Sequence, residues 1–402
     1  MSITTPIIAV HYAEIALKGK NRSMFLRKLK NNMDHALIGL PVEKINHIES
    51  RILVTLHPEA DVDEAVTRLK RVFGIQWLSA ATPIDCDDVG DDLSGLVKLA
   101  IDIVKNDIGD AKTFRVTARR SDKNFHKTSL EIEQHVGGAI HEVIQVPAKM
   151  KNPDYTLNIL VLKERILLFS NKIRCFGGLP VGSSGKLMSL LSGGIDSPVA
   201  SWMMMKRGCT CEFVHFHTGK SIAESNVEKI EKLAMVLAQY SPRPLRVRMV
   251  PVYPYEVRAI GNVEDKYDML LFRRFIFKTA SRLAWRRNCH AIVAGDSVGQ
   301  VASQTLPNLK AIAPDVQLPV LRPLIGMDKL EITDLSRKTG LFETSILPYR
   351  DCCSIRSPRP ELNARSEVLM KFSDKIELED AVTEAIKTSV VLKIGPEGRI
   401  TE

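Results

Sequence analysis

A multi-domain α/β chain is what this sequence predicts, with a doubly wound parallel sheet in its C-terminal half. Three observations carry that reading. Apolar runs at Leu187 to Leu191, Cys211 to His217, Val247 to Val252 and Ala291 to Ala294 alternate with long helical stretches, the pattern of parallel strands covered by helices on both faces. Between the first run and a helix-compatible stretch from Ser197 to Lys206 stands Leu191-Ser-Gly-Gly-Ile-Asp-Ser197, which reads as strand, phosphate-binding turn and helix start. Ahead of residue 173, strand and helix signals mix in two smaller blocks rich in basic residues.

The first block spans residues 1–80. Ile7 to Tyr12 and Ile52 to Leu56 read as strands, and Arg22 to Leu37 and Val62 to Phe73 as helices with apolar residues at helical spacing. A small α+β layer follows from that order. Between Glu14 and Asp34 no acidic residue occurs, while Lys18, Lys20, Arg22, Arg27, Lys28 and Lys30 crowd together. Such a run is a solvated helix face or a phosphate-contacting one; the flexible Lys18-Gly19-Lys20 turn strengthens the second reading.

The second block spans residues 81–172. Helices are expected at Leu93 to Asn106 and Ser129 to Val146, with a strand at Thr113 to Ala118. Arg115, Arg119, Arg120, Lys123, His126 and Lys127 are interleaved with Phe114 and Phe125. Flexible cations meet backbone phosphates and flat rings stack on exposed bases, so this segment suits structured RNA. Phe114 is expected in the core; Phe125, in a polar loop, is the stacking candidate.

Composition limits the function classes. With 402 residues and 45% hydrophobic content the chain can bury large cores, and Lys+Arg 56 against Asp+Glu 47 gives a net charge of +9 that favours polyanionic partners. No apolar stretch approaches the roughly 18 residues that span a bilayer. The N-terminus lacks the basic and apolar regions of a signal peptide. Seven cysteines without secretory spacing point to reduced thiols and a cytoplasmic protein. Cys209 and Cys211 fall on an expected buried strand, where a structural role suffices. Without paired C-x-x-C motifs or HExxH, no metal site of the chain's own is expected.

In the turn itself, Ser192, Gly193 and Gly194 are small enough for backbone N–H groups to close around a phosphate, with Asp196 and Ser197 at its mouth. It lacks the GK[ST] ending of a Walker loop, and the one Gly-Lys-Ser, at 219 to 221, fails because position 214 is Val. Ser-Gly-Gly-x-Asp-Ser resembles the PP-loop of the ATP pyrophosphatases, which cleave ATP between its α and β phosphates and leave AMP on the substrate. Two further stretches narrow the resemblance. His11-Tyr-Ala-Glu-Ile-Ala-Leu-Lys-Gly-Lys-Asn-Arg22 resembles the N-terminal ferredoxin-like signature of the tRNA 4-thiouridine synthetases (ThiI). Phe114-Arg-Val-Thr-Ala-Arg-Arg-Ser-Asp-Lys123, with Lys151-Asn-Pro-Asp154, resembles the RNA-binding THUMP domain. The resemblance implies a ferredoxin-like α+β domain (1–80), a THUMP α/β domain (81–172) and a PP-loop ATP pyrophosphatase domain (173–402) that includes the Gly-rich linker 177–185.

It also implies a site. ATP would be held by Leu190, Leu191, Ser192, Gly193, Gly194, Asp196, Ser197, His215, Phe216, Arg273, Gly295 and Gln304. Taken alone, His215 reads as a packed histidine, and Arg273, one of two adjacent arginines on a helix, has a surface charge as its alternative. Ala294-Gly-Asp-Ser-Val-Gly-Gln-Val-Ala-Ser-Gln-Thr305 is similar to the family's second ATP motif, where Gly295 permits close approach of the nucleotide and Gln304 offers donor and acceptor. His217-Thr-Gly-Lys-Ser221 departs from the family's Ser-Pro-Pro-like stretch, although Lys220 could still meet a phosphate. Asp351-Cys-Cys-Ser-Ile355 supplies two sulfur candidates, and Arg350, Arg356 and Arg359 would favour a thiolate. Cys352 aligns best with the family's sulfur-carrying cysteine through the isoleucine three residues on, with Cys353 in reserve. For tRNA the expected contacts are Lys18, Lys20, Arg22, Arg115, Arg119, Arg120, Lys123 and Phe125.

The implied reaction has two stages. ATP, with Mg2+, is attacked by O4 of a tRNA uridine at position 8, releasing pyrophosphate, and a persulfide on Cys352 then displaces AMP to leave 4-thiouridine. Asp196 would position metal or substrate. Many family members also supply sulfur to the sulfur-carrier protein of thiamine thiazole synthesis. No cysteine follows Cys353, so the second cysteine of a rhodanese domain is missing and a separate cysteine desulfurase is expected as donor. A flexible linker would also allow tRNA to be shared across a homodimer. Two competing readings are another PP-loop tRNA ligase, which leaves the cysteine pair unexplained, and a degenerate tRNA-binding protein, which the intact Ser192 to Ser197 loop and Gln304 oppose.

Overall fold

The computed structural model describes residues 5–48, 50–225, 227–314, 316–349, 352 and 360–400. Contacts divide the chain into two compact units, Met1–Gly178 and Leu179–Glu402. Among the described residues no helix is long and apolar enough to cross a membrane.

In the first unit the strands are β1 (Ile7–His11), β2 (Val42–Ile48), β3 (Arg51–Leu56), β4 (Trp77–Asp85), β5 (Phe114–Arg120), β6 (Tyr155–Val161), β7 (Arg165–Phe169) and β8 (Ile173–Arg174). The helices are α1 (Arg22–Ala36), α2 (Val62–Leu69), α3 (Ser94–Asp107) and α4 (Ser129–Ile144). The strands form one sheet in the order β2-β3-β1-β4-β7-β6-β5, with β8 also on β4. The long β4 makes this possible. Its first half, Trp77 to Ala81, pairs with β1, and its second, Thr82 to Asp85, with β7, so it belongs to both sequence blocks. Ile7, Ala9 and Leu53 from one block share a core with Leu160, Leu167 and Phe169 from the other. Helix α2 stops at Leu69 rather than at Phe73, because Gly74 takes a positive φ of 105° and Val72, Phe73 and Ile75 turn into the interior. Its start is capped by Asp61, which accepts from Glu64 N–H.

The second unit contains β9 (Lys186–Leu190), α5 (Asp196–Lys206), β10 (Thr210–His217), α6 (Glu228–Ala238), β11 (Leu245–Pro251), α7 (Tyr253–Ala259), α8 (Asp265–Arg286) and β12 (Ala291–Val293). After these come α9 (Leu306–Ala311), β13 (Val320–Leu321), α10 (Lys329–Lys338), α11 (Phe342–Ser345), α12 (Ser366–Lys375), α13 (Leu378–Thr388), β14 (Val390–Gly395) and β15 (Gly398–Arg399). Sheet order is β13-β12-β9-β10-β11-β14-β15, parallel through β11 and antiparallel at β14 and β15. The four expected parallel strands are therefore central, and the C-terminal tail adds an edge of opposite sense.

From β9 the chain builds outward through β10 and β11, then returns to the other side of β9 with β12. Strand order reverses between β9 and β12, and a crevice opens at their carboxyl ends. One face packs Met188, Val214 and Phe216 against α8, α12 and α13. The alternate residues face the other way: Ser189 Oγ lies 2.7 Å from Ser201 Oγ of α5. The Gly-rich connector, expected to be flexible, is hydrogen-bonded along its length. Gly177 N–H donates to Ile75 carbonyl in the first unit, while Gly182 and Ser184 N–H donate to Gly208 carbonyl in the second. Positive φ at Gly177, Gly178, Gly182 and Gly185 serves tight turning, which only glycine adopts without strain.

Candidate active site and nucleic-acid interface

At the crevice the sequence places a strand end, a five-residue turn and a helix start in immediate succession. Ser197, one residue into α5, reaches back over the turn: Ser192 N–H donates to its Oγ at 2.8 Å, and the two hydroxyls are 2.9 Å apart. That cross-link fixes the turn so that the N-terminal end of α5 faces the crevice. The cavity there measures about 410 Å³, within the range of small-molecule sites. Leu190, Leu191, Ser192, Asp196, Ser197, His215, Phe216, Arg273, Gly295, Gln304 and Cys352 all line it, so the structure gathers most of the residues expected at the ATP site.

Gly193 and Gly295 owe their lack of a side chain to protein packing. A β-carbon on Gly193 would stand 2.5 Å from Cδ1 of Tyr349, and one on Gly295 2.8 Å from the Ser197 nitrogen. Gly295 thus lets β12 approach α5 as well as bordering the cavity.

Charges at the site are paired. Asp196 accepts from Lys329 Nζ at 2.7 Å and from Gln300 Nε2 at 2.9 Å. The buried Asp296 accepts from Arg273 at 2.6 Å and from Arg322 at 2.9 Å, and both guanidiniums lie near the Phe277 ring. Arg273 also donates to the Ser303 carbonyl. Sequence reading missed Asp296, Gln300, Arg322 and Lys329. Asp296 and Gln300 stood inside the quoted Ala294 to Thr305 motif, whereas Arg322 and Lys329 come from later segments with no motif of their own. Lys220 sits over the Tyr253 ring rather than at the cavity.

Cys352 is 5% exposed, and its thiol donates to the Phe216 carbonyl at 3.6 Å. Cys353 and the arginines 350, 356 and 359 lie outside the described residues. Burial raises the Cys209 and Cys211 thiols, which suits their packing role. His217, next to the site, is pushed down to about 4 by burial and then by neighbouring His215, so it is neutral; its Nδ1 is 2.7 Å from Ser225 Oγ.

A turn of this kind, a nucleotide-sized cavity and a cysteine on its wall coincide with sequence likeness along nearly the whole chain. Residues 182–378 match the model of "Thiamine biosynthesis protein (ThiI)", residues 7–79 the ThiI ferredoxin-like domain, and residues 91–171 the THUMP domain. The "Probable tRNA sulfurtransferase" of Caldanaerobacter subterraneus subsp. tengcongensis is 39% identical over 373 residues, covering 92% of this chain and 95% of the relative. That of Staphylococcus epidermidis is 36% identical over 389 residues, covering 96% and 94%. The chain belongs to the ThiI family. A solved 4-thiouridine synthetase in complex with RNA and bound ATP superimposes with a TM-score of 0.87 at 34% identity, covering 97% of this chain and all of that one.

In this ThiI-family chain the expected RNA contacts separate into exposed and internally used groups. Lys20, Arg119 and Lys123 are exposed. Lys18 pairs with Glu14 at 3.4 Å, and Arg22 donates to the Tyr12 hydroxyl at 2.7 Å and lies against its ring. Arg115 donates to the Met150 carbonyl, and Arg120 ties down its own loop through the Phe125 and Lys127 carbonyls. Phe114 is core, as expected; Phe125 packs against that same core and tilts onto His126, because Arg120 draws the loop inward.

A second cluster was not read from the sequence. Arg51, Arg119 and Lys172 surround a cavity of about 30 Å³ with His11 and Trp77, whose rings stack at 3.5 Å. Burial, then Arg51, Lys172 and Arg119, pushes His11 down to about 3, and burial followed by Arg119 lowers Lys172.

Proposed function

We propose that this chain is an ATP-dependent tRNA sulfurtransferase that converts the uridine at tRNA position 8 into 4-thiouridine. The observation that carries the reading is the presence of Cys352 on the wall of the cavity that opens onto the Ser192 to Ser197 turn. A pyrophosphatase site alone would serve many acceptors; a buried cysteine within it specifies sulfur.

The residues present fit a nucleotide. Turn amides and the start of α5 would receive phosphate, and Arg273, held by Asp296, adds a preorganised cation. Mg2+ arriving with ATP would be held by the phosphates and Asp196, where it would supply charge neutralisation for the departing pyrophosphate. Asp196 is already engaged by Lys329 and Gln300, which hold its carboxylate in place.

Uridine O4 attacks the α-phosphorus, the bond to the β-phosphate oxygen breaks, and pyrophosphate leaves. The terminal sulfur of a Cys352 persulfide then attacks C4 and AMP departs with its oxygen. A thiol, from Cys353 or from solution, cleaves the resulting S–S bond. It supplies the two electrons that turn sulfane sulfur into thiocarbonyl and ends as a disulfide. A cysteine desulfurase would load the persulfide. The exposed Lys20, Arg119 and Lys123, together with the cluster around His11, would hold the tRNA backbone. The family description also names thiamine biosynthesis, and the same persulfide would serve a sulfur-carrier protein there.

With unmodified tRNA, ATP and a cysteine desulfurase, we expect tRNA-dependent pyrophosphate release and 4-thiouridine by nucleoside mass spectrometry. Cys352→Ser should still bind ATP and form no 4-thiouridine. Absence of pyrophosphate release from the native chain would overturn the reading.

A further inference from the structure

The strand end at His215 and Phe216 is straddled by two residues of one segment. Val214 and Phe216 point to the core that holds α8 and Cys352. By the alternation of a strand, His215 points to the opposite face, and there it meets Tyr349. The His215 Nδ1 lies 2.8 Å from the Leu191 carbonyl, and its Nε2 lies 2.9 Å from the Tyr349 hydroxyl. A carbonyl only accepts, so Nδ1 carries a proton, and in the neutral ring Nε2 accepts from the phenol. The same Tyr349 ring fills the space where a side chain on Gly193 would be.

The segment is anchored just upstream. Lys229 of α6, 7% exposed, donates to the Ser345 carbonyl at 2.8 Å and to the Leu347 carbonyl at 2.7 Å, and its ammonium lies 5.6 Å from the centre of the Tyr349 ring. A buried ammonium needs such partners, so they hold this stretch of backbone in place. Three residues after Tyr349, Cys352 reaches the Phe216 carbonyl. One side chain, three residues ahead of Cys352, therefore touches both the phosphate-binding turn and the histidine at the cavity wall.

We infer that Tyr349 is a positioning residue: it registers Cys352 against the phosphate-binding turn, so that sulfur arrives where the base has been adenylated. This rests on the sulfurtransferase reading above. Tyr349 does not line the nucleotide cavity, so its loss should spare adenylation and impair the handover of sulfur. A displacement of about 1 Å between reacting groups can cost on the order of a hundredfold.

The test is the ratio of 4-thiouridine formed to pyrophosphate released, in a mixture of unmodified tRNA, ATP, Mg2+, cysteine, a cysteine desulfurase and a thiol reductant. Tyr349→Ala is expected to keep pyrophosphate release within about twofold while that ratio falls roughly tenfold or more. Tyr349→Phe, which keeps the ring on Gly193 and loses only the hydroxyl, should fall between. A ratio unchanged in Tyr349→Ala, or pyrophosphate release falling in step with thiolation, overturns the inference. If Tyr349→Ala does not fold, Tyr349→Phe decides it: an unchanged ratio rejects the role of the His215 link. Failure of the underlying reading looks different, since the native chain itself would then release no tRNA-dependent pyrophosphate and form no 4-thiouridine, whatever stands at position 349.

Discussion

The two units gather positive charge in opposite ways. Beside the nucleotide cavity Arg273 and Arg322 share Asp296, and Lys329 is matched by Asp196. Around His11, by contrast, Arg51, Arg119 and Lys172 close on a small cavity with no described carboxylate in its lining. The first arrangement is neutralised from within, so its donors are held in place by the protein itself. The second carries an electrostatic cost that an external polyanion would relieve. Catalysis needs a preorganised cradle, while recognition of a long backbone gains from clustered cations that a polyanion can approach.

The internally neutralised side should be the more fragile when one partner is removed. Asp296→Asn leaves two desolvated guanidiniums without their shared carboxylate, and breaking a buried pair in this way costs about 3–5 kcal/mol. Denaturant unfolding of the C-terminal unit should show it; a loss below about 1 kcal/mol, the range of surface pairs, would mean Asp296 is not the charge that holds Arg273. Next in size is Asp196→Ala. Its carboxylate stands at the mouth of the turn, and pyrophosphate release should drop roughly a hundredfold with the unfolding transition little changed. Retained release would remove Asp196 from the chemistry.

On the externally satisfied side, Arg119→Gln combined with Lys172→Gln should weaken tRNA binding and leave ATP binding alone. If each cation neutralises one phosphate, the slope of log affinity against log salt concentration should become shallower by about 1.5. An unchanged slope would mean that the cluster faces something other than the RNA backbone.

These differences also explain what could be read in advance. The parallel strands were legible because Leu187 to Leu191 and Cys211 to His217 are buried on both faces and therefore mostly apolar. The turn was legible because Ser192, Gly193 and Gly194 are small residues in direct succession, the pattern that lets backbone N–H groups converge. Strand β14, Val390–Gly395, went unread because it lies toward the edge of the sheet and its burial alternates. Lys329, Arg322 and Tyr349 reach the site from segments far along the chain, and only the fold brings them to Asp196, Asp296 and His215. Among the basic residues of the first unit, composition showed abundance but could not separate Arg119, which is exposed, from Arg120, which hydrogen-bonds its own loop.

The smallest expected effect bears most directly on the comparison. His11 titrates near 6.5 when unperturbed and is pushed down to about 3 in the folded unit, by burial first and then by Arg51, Lys172 and Arg119. As pH falls below 6.5 the unfolded chain takes up a proton that the folded chain refuses until about 3. The stability linked to His11 is thus intact above the unfolded value and is lost progressively across that window. His11→Gln should flatten the fall in stability between neutral pH and pH about 4 relative to the native chain, as measured by denaturant unfolding of the first unit. An anion bound in the cluster offsets the three cations and raises the His11 pKa toward its ordinary value. Saturating tRNA should therefore shrink the difference between native chain and variant. A pH dependence identical in both proteins would show that His11 does not sense this charge, and the contrast between the two units would lose its electrostatic basis.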